Sequence, residues 1–151
     1  MKKEKIIGSF CIFLLCLSIG CTKQTDELSF DRAPRITLDS ISHDTLTEFS
    51  DRLLLYVSYE DGDGDLGTSD PDVNSIFVKD SRLSAADPYY LPPLAPEDSE
   101  ISIQGNLIVE LNPTFLLGNG DRESTIFSVF VVDRAGNDSN TVETREVLLV
   151  R

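Results

Sequence analysis

An all-β sandwich is the fold this sequence predicts, and three observations predict it. After Pro34 the chain breaks into short runs rich in Val, Ile, Leu, Phe and Thr. Gly, Pro, Asn and Asp punctuate those runs at the intervals of strand and turn. No later segment sustains the 3.6-residue apolar period of a helix.

Before that point the chain is of another kind. Lys2, Lys3 and Lys5 precede an uncharged stretch from Ile6 to Ile19, which ends at Gly20-Cys21. Such a stretch is too short to span a bilayer comfortably and has the layout of a secretory signal. Leu17-Ser18-Ile19-Gly20-Cys21 resembles the lipobox of bacterial lipoproteins, with Ser18 where leucine is usual. The resemblance implies cleavage before Cys21, lipidation of Cys21 and a cell-envelope location, most simply the outer membrane. An uncleaved anchor or an ordinary cleaved signal is the plainer alternative. Cys11 and Cys16 fall in the discarded part, so Cys21 would be the sole remaining cysteine and no disulfide is expected. The expected organisation is therefore a signal peptide at 1–20, a lipidated cysteine and tether at 21–33, and one domain at 34–151. Asp26-Glu27 in the tether is a weak version of an acidic surface-export signal.

Within the domain, strands are expected at Arg35 to Ile41, Arg52 to Tyr59, Ser75 to Lys79, Glu100 to Leu111, Ser124 to Val132 and Val142 to Val150. The fourth should bend or split at Gly105-Asn106, giving about seven. Leu53, Leu55 and Val57 share one face, as do Phe127, Val129 and Val131, which suits two sheets packed across one core. Leu54, Tyr56 and Phe130 make the opposite faces apolar too, so something should cover them. Ser81 to Ser99, with Pro88, Pro92, Pro93 and Pro96, is expected to be that cover, running as an extended crossover outside any sheet. Its Tyr89 and Tyr90 either pack inward or form a ligand surface.

The most distinctive stretch is Tyr59-Glu60-Asp61-Gly62-Asp63-Gly64-Asp65-Leu66-Gly67. Asp61, Asp63 and Asp65 alternate, Asp70 and Asp72 follow, and no Lys or Arg lies between Arg52 and Lys79. Oxygen ligands at every second residue, with glycines between, let a short backbone wrap round a hard cation such as calcium. Against the helical calcium-loop pattern, Asp61, Asp63, Asp65 and Asp72 take positions 1, 3, 5 and 12. Position 6, which needs glycine, is Leu66, so an EF-hand is not expected. The plain alternative is a set of solvated turn residues.

Val131-Val132-Asp133-Arg134-Ala135-Gly136-Asn137-Asp138-Ser139-Asn140 lies between the last two expected strands. It resembles the closing hairpin of bacterial immunoglobulin-like domains, and together with Tyr59 to Gly67 it is similar to a family of such lipoproteins. The resemblance runs from Pro34 onward and implies an immunoglobulin-like antiparallel sandwich, a fold that hosts many unrelated roles. In that topology the two loops share one end of the domain, and Asp133 joins Asp61, Asp63, Asp65, Asp70 and Asp72 as a candidate ligand.

Composition narrows the function. The formal charge is −13, and loss of residues 1–20 would remove three Lys and one Glu to give −15. Nucleic acid and anionic headgroups are therefore repelled. His43 is the only histidine, and no nucleophile elbow, phosphate loop or zinc spacing occurs. The expectation is a non-catalytic envelope lipoprotein displaying a calcium-stabilised domain to another envelope protein. A carbohydrate-binding module using Tyr89 and Tyr90 is the first alternative, and a small hydrolase working through loop carboxylates the second.

Overall fold

The computed structural model describes residues 30–151. The expected signal peptide, Cys21 and Asp26-Glu27 lie outside the described residues.

Ten strands and no helix occur among the described residues. They are β1 (Arg35–Ile41), β2 (Thr45–Thr47), β3 (Leu54–Asp61), β4 (Ile76–Asp80), β5 (Asp87–Tyr89), β6 (Ile103–Glu110), β7 (Arg122–Thr125), β8 (Phe127–Val131), β9 (Val142–Glu143) and β10 (Val147–Val150). One sheet has the order β1-β3-β6, a second β5-β4-β8-β9 and a third β2-β10-β7. The third continues the second, because only Ile126 separates β7 from β8 and Thr144 to Glu146 separate β9 from β10. All pairings are antiparallel except that of β2 with β10. The all-β sandwich expected from the run pattern is the fold observed, and it is compatible with the immunoglobulin-like architecture that the resemblance implies.

Alternation along the strands builds the core. On β3 the inward residues Leu55 and Val57 meet Val109 of β6 and Ile36 of β1. From the other sheet come Ile76 and Val78 of β4 with Phe127, Val129 and Val131 of β8. Burying each such side chain contributes about 1.5–3 kcal/mol, so this two-sided core stabilises the domain without a disulfide.

Four expectations change in detail. The strand expected to bend at Gly105 runs unbroken, pairing with β3 from Leu54↔Glu110 to Asp61↔Ile103. Gly105 serves a close approach instead, since a Cβ there would stand 2.7 Å from the Tyr59 hydroxyl. The last two expected strands are each interrupted. Thr144 explains part of this, for its hydroxyl accepts from Phe127 N at 3.0 Å and its own N–H donates to Phe127 O at 2.9 Å. The crossover does enter a sheet, because Asp87–Tyr89 pairs with β4 and places Pro88 opposite Phe77. β5 is an edge strand, where a proline without an N–H is tolerated. Finally, Phe130 is covered by its neighbour Phe77, the two rings stacking at 5.1 Å.

The edges are closed unevenly. Asn140 seals β1: its Oδ1 accepts from Ile36 N and its Nδ2 donates to Ile36 O, both at 2.9 Å. At the other end of the sheet β6 has no such seal among the described residues. The chain approaches the domain beside the Asp61–Gly67 loop, where the carbonyls of Phe30 and Asp31 crowd against Gly62.

Candidate metal centre

Parity puts Asp61 where it is. It continues the inward-facing series of β3 after Leu55, Val57 and Tyr59, so the strand's last side chain is a carboxylate with 0% exposure. The chain must then turn at once, and Gly64 and Gly67 do so at φ of 74° and 82°, a region open to glycine without strain. Neither has room for a side chain: a Cβ would meet Ile101 O at 2.4 Å and Pro92 O at 2.2 Å respectively. The crossover thus lies tightly against the loop and fixes its shape.

The loop's carbonyls are already used. Ser102 Oγ donates to Gly62 O at 2.8 Å, Ile101 N to Asp63 O at 3.2 Å, Arg134 N to Asp65 O at 3.2 Å and Leu94 N to Leu66 O at 3.2 Å. Arg134 also sends its guanidinium to Gly67 O at 2.7 Å and to Gly64 O at 3.4 Å. Arg134 is therefore engaged with carbonyls, and among the described residues no salt bridge reaches Asp61, Asp63 or Asp65.

What remains free is at least one oxygen of each carboxylate. Asp61 Oδ2 accepts from Leu66 N at 2.9 Å and Asp65 Oδ2 from Ala135 N at 2.9 Å. Oδ1 of Asp61, Asp63 and Asp65 are each buried without a partner. One carboxylate oxygen from each of the three residues lies within 4.8 Å of the other two. Oxygens that close can approach one hard cation together.

Electrostatics point the same way. Burial raises the Asp61 carboxyl above its ordinary range, against the Leu66 N–H, and the charges of Asp63 and Asp133 raise it further. Burial also pushes Asp65 up to about 6, followed by the charge of Asp133, with the Ala135 N–H opposing. Buried like charges that raise one another are relieved by a proton or by a metal ion.

The structure sorts the sequence candidates. Asp61, Asp63 and Asp65 come together. Asp133 is buried close enough to act on Asp61 and Asp65, but its Oδ1 and Oδ2 accept from Asn137 N at 2.7 Å and Asn137 Nδ2 at 2.8 Å. It shapes the turn at Gly136 and adds negative potential. Asp70 and Asp72 stand exposed in a turn of their own, where Asp70 Oδ1 accepts from Asp72 N at 3.0 Å. Sequence reasoning missed Arg134 and Asn137 as organisers of the site. Their signal was present, a donor-rich Arg-Ala-Gly-Asn turn next to an acidic loop.

Tyr89 and Tyr90 diverge. Tyr89 packs against the core and its hydroxyl accepts from Asn112 N at 3.3 Å, while Tyr90 is 41% exposed. They do not form a two-ring platform. His43 is exposed and its Nδ1 lies 2.8 Å from Ser42 Oγ.

Comparison of the chain with protein-family models, with curated proteins and with solved structures finds no match.

Proposed function

We propose that this chain is a non-catalytic, lipid-anchored envelope protein that displays a calcium-stabilised immunoglobulin-like domain for interaction with another protein. The observation that carries the calcium reading is the convergence of three carboxylates that each hold a buried, unpartnered oxygen, one of them on a residue with 0% exposure. Asp61, Asp63 and Asp65 would hold the ion, with water completing six to eight oxygens. The ion's role is structural: it would neutralise the loop that joins β3 to the crossover and to the Arg134 turn.

Display follows from the direction of the chain. The chain enters beside the acidic loop, so an anchor at Cys21 would leave the opposite end of the sandwich free for a partner. That end carries Phe49, 69% exposed, stacked on Phe115 at 5.6 Å with planes 5° apart. Phe49 holds a φ of 59°, a conformation disfavoured for a side-chain-bearing residue, and Phe49 N donates to Thr114 O at 2.9 Å. Exposed aromatics held by a constrained backbone suit a protein-binding tip. The glycan reading loses its support with the divergence of Tyr89 and Tyr90.

The test is thermal melting of residues 22–151 with EDTA, calcium or magnesium, beside an Asp63→Ala/Asp65→Ala double variant. Calcium at ten times its dissociation constant should add about 1.4 kcal/mol, or roughly 4–6 °C. The variant should lose that gain. Identical melting in EDTA and in millimolar calcium would refute the calcium reading.

A further inference from the structure

β6 is an eight-residue strand at the end of its sheet, paired on one side only. Parity assigns its backbone groups. Leu111 N donates to Leu53 O and Ile101 N to Asp63 O, so the odd-numbered residues between them bond β3. The N–H and C=O of Gln104, Asn106, Ile108 and Glu110 face away from β3. None of the four bonds another element among the described residues.

Open edges are usually blunted by lysine, proline, a bulge or shortness. The other edges of this domain are: β5 is three residues long and holds Pro88, β2 has three residues, β9 two, and β7 four with Arg122 among them. β1 has a register shift between Leu38 and Ser40, and Asn140 takes up the N–H and C=O of Ile36. β6, Ile-Gln-Gly-Asn-Leu-Ile-Val-Glu, contains neither lysine, arginine nor proline. At its middle Ile108 is 64% exposed on the outer face, opposite Tyr56 of β3.

We infer that β6 pairs antiparallel with β6 of a second copy of this chain, Ile108 facing its own counterpart, to make one six-stranded sheet. The side chains favour this occupant. When Ile108 faces itself, Asn106 of each copy faces Glu110 of the other. Ser58 Oγ gives its one proton to Asp39 Oδ2 and lies 3.0 Å from the Asn106 amide, which in either orientation keeps an N–H to donate. Arg52 occupies Oε1 of Glu110, which leaves Oε2 to accept. Each copy thus brings a free donor and a free acceptor in matching positions, and no like charges oppose across the pair. Although the whole chain is acidic, β6 itself carries no charge but Glu110, which Arg52 pairs, so the strand adds little repulsion between copies. The two-fold axis runs through the sheet at Ile108, and the domains lie head to tail. An interface of two edge strands is small, which places the association in the micromolar-to-millimolar range.

The test uses the full chain in detergent, followed by sedimentation from about 10 µM to about 1 mM, the range expected for so small an interface. The parent should shift from monomer to dimer across that range. Ile108→Lys, which sets two ammonium groups opposite each other, should weaken dimerisation at least about tenfold while leaving the far-ultraviolet circular dichroism unchanged. A second readout needs no charge: with Cys11→Ser, Cys16→Ser and Cys21→Ser in the background, Ile108→Cys should form an interchain disulfide on mild oxidation. Gln104→Cys should not, since the pairing sets the two copies of position 104 about 27 Å apart. A parent that stays monomeric to about 1 mM overturns the inference. So does a parent that Ile108→Lys leaves equally dimeric, or cross-linking that is as efficient at 104 as at 108.

Discussion

Ala135 donates its backbone N–H to Oδ2 of Asp65 at 2.9 Å, across 70 residues of sequence. This bond fastens the acidic loop after β3 to the turn after β8. It also orients Asp65 so that its other oxygen, Oδ1, is left buried without a partner.

The ion-free domain should be more stable at pH 5 than at pH 7. The carboxyls of Asp61 and Asp65 are both raised in the folded state, Asp65 to about 6. A raised carboxyl holds its proton in the fold at a pH where the unfolded chain has released it. Its stabilising contribution is full below the unfolded value near 4 and is lost as pH rises through about 6. Melting in EDTA at half-unit steps should therefore show a midpoint rising as pH falls from 7 to 5. Calcium competes with those protons, so its stabilising effect should be larger at pH 7 than at pH 5. A melting profile in EDTA that falls steadily below pH 7 would contradict the assignment.

At the far end of the sandwich, Arg82 should be among the costliest charged residues to remove. Asp80 is 6% exposed, and burial alone would raise its carboxyl. The Arg82 side chain, the Thr125 hydroxyl and the Arg82 N–H together bring it below its ordinary value. Arg82 Nη2 sits 2.6 Å from Asp80 Oδ2, and Nη1 sits 2.7 Å from Glu123 Oε2. Arg82→Ala strands the buried Asp80 carboxylate and should cost about 3–5 kcal/mol in urea unfolding. Arg82→Lys keeps the charge but not the fork, and should fall between the two.

Two glycines with positive φ should respond differently to alanine. Gly67 and Gly136 have φ of 82° and 87°, so both substitutions carry backbone strain. A Cβ on Gly136 meets nothing within 4 Å, whereas one on Gly67 stands 2.2 Å from Pro92 O. Gly136→Ala should cost about 1 kcal/mol, and Gly67→Ala roughly 3 kcal/mol or more. Equal costs would mean that the crossover does not bear on the loop as described.

Much of this was legible in the residues. Alternation of Leu53, Leu55 and Val57, and of Phe127, Val129 and Val131, marked the two inner faces, because a half-buried strand must place apolar groups at a period of two. The alternate aspartates marked the loop, and the same parity that buries Val57 buries Asp61. Other features were set by side chains that answer one another only in the fold. Nothing local announces that Tyr59 will cover Gly105 and keep β6 straight, or that the Thr144 hydroxyl will take the Phe127 N–H. Pro88 looked like a sheet breaker because its edge position depends on which strands lie beside β4. Asp70 and Asp72 shared the composition of the site but not its place, since the turn after Gly67 carries them to the surface.

Calorimetric titration of residues 22–151 with calcium at pH 7, beside an Asp61→Asn variant, tests the central claim most directly. Asparagine keeps the shape of the buried side chain and an acceptor for the Leu66 N–H, but removes its charge. The account predicts one calcium per chain with a dissociation constant of about 10⁻⁴ to 10⁻³ M, and binding at least about tenfold weaker in the variant. No binding up to about 10 mM calcium, or equal binding by parent and variant, would contradict it.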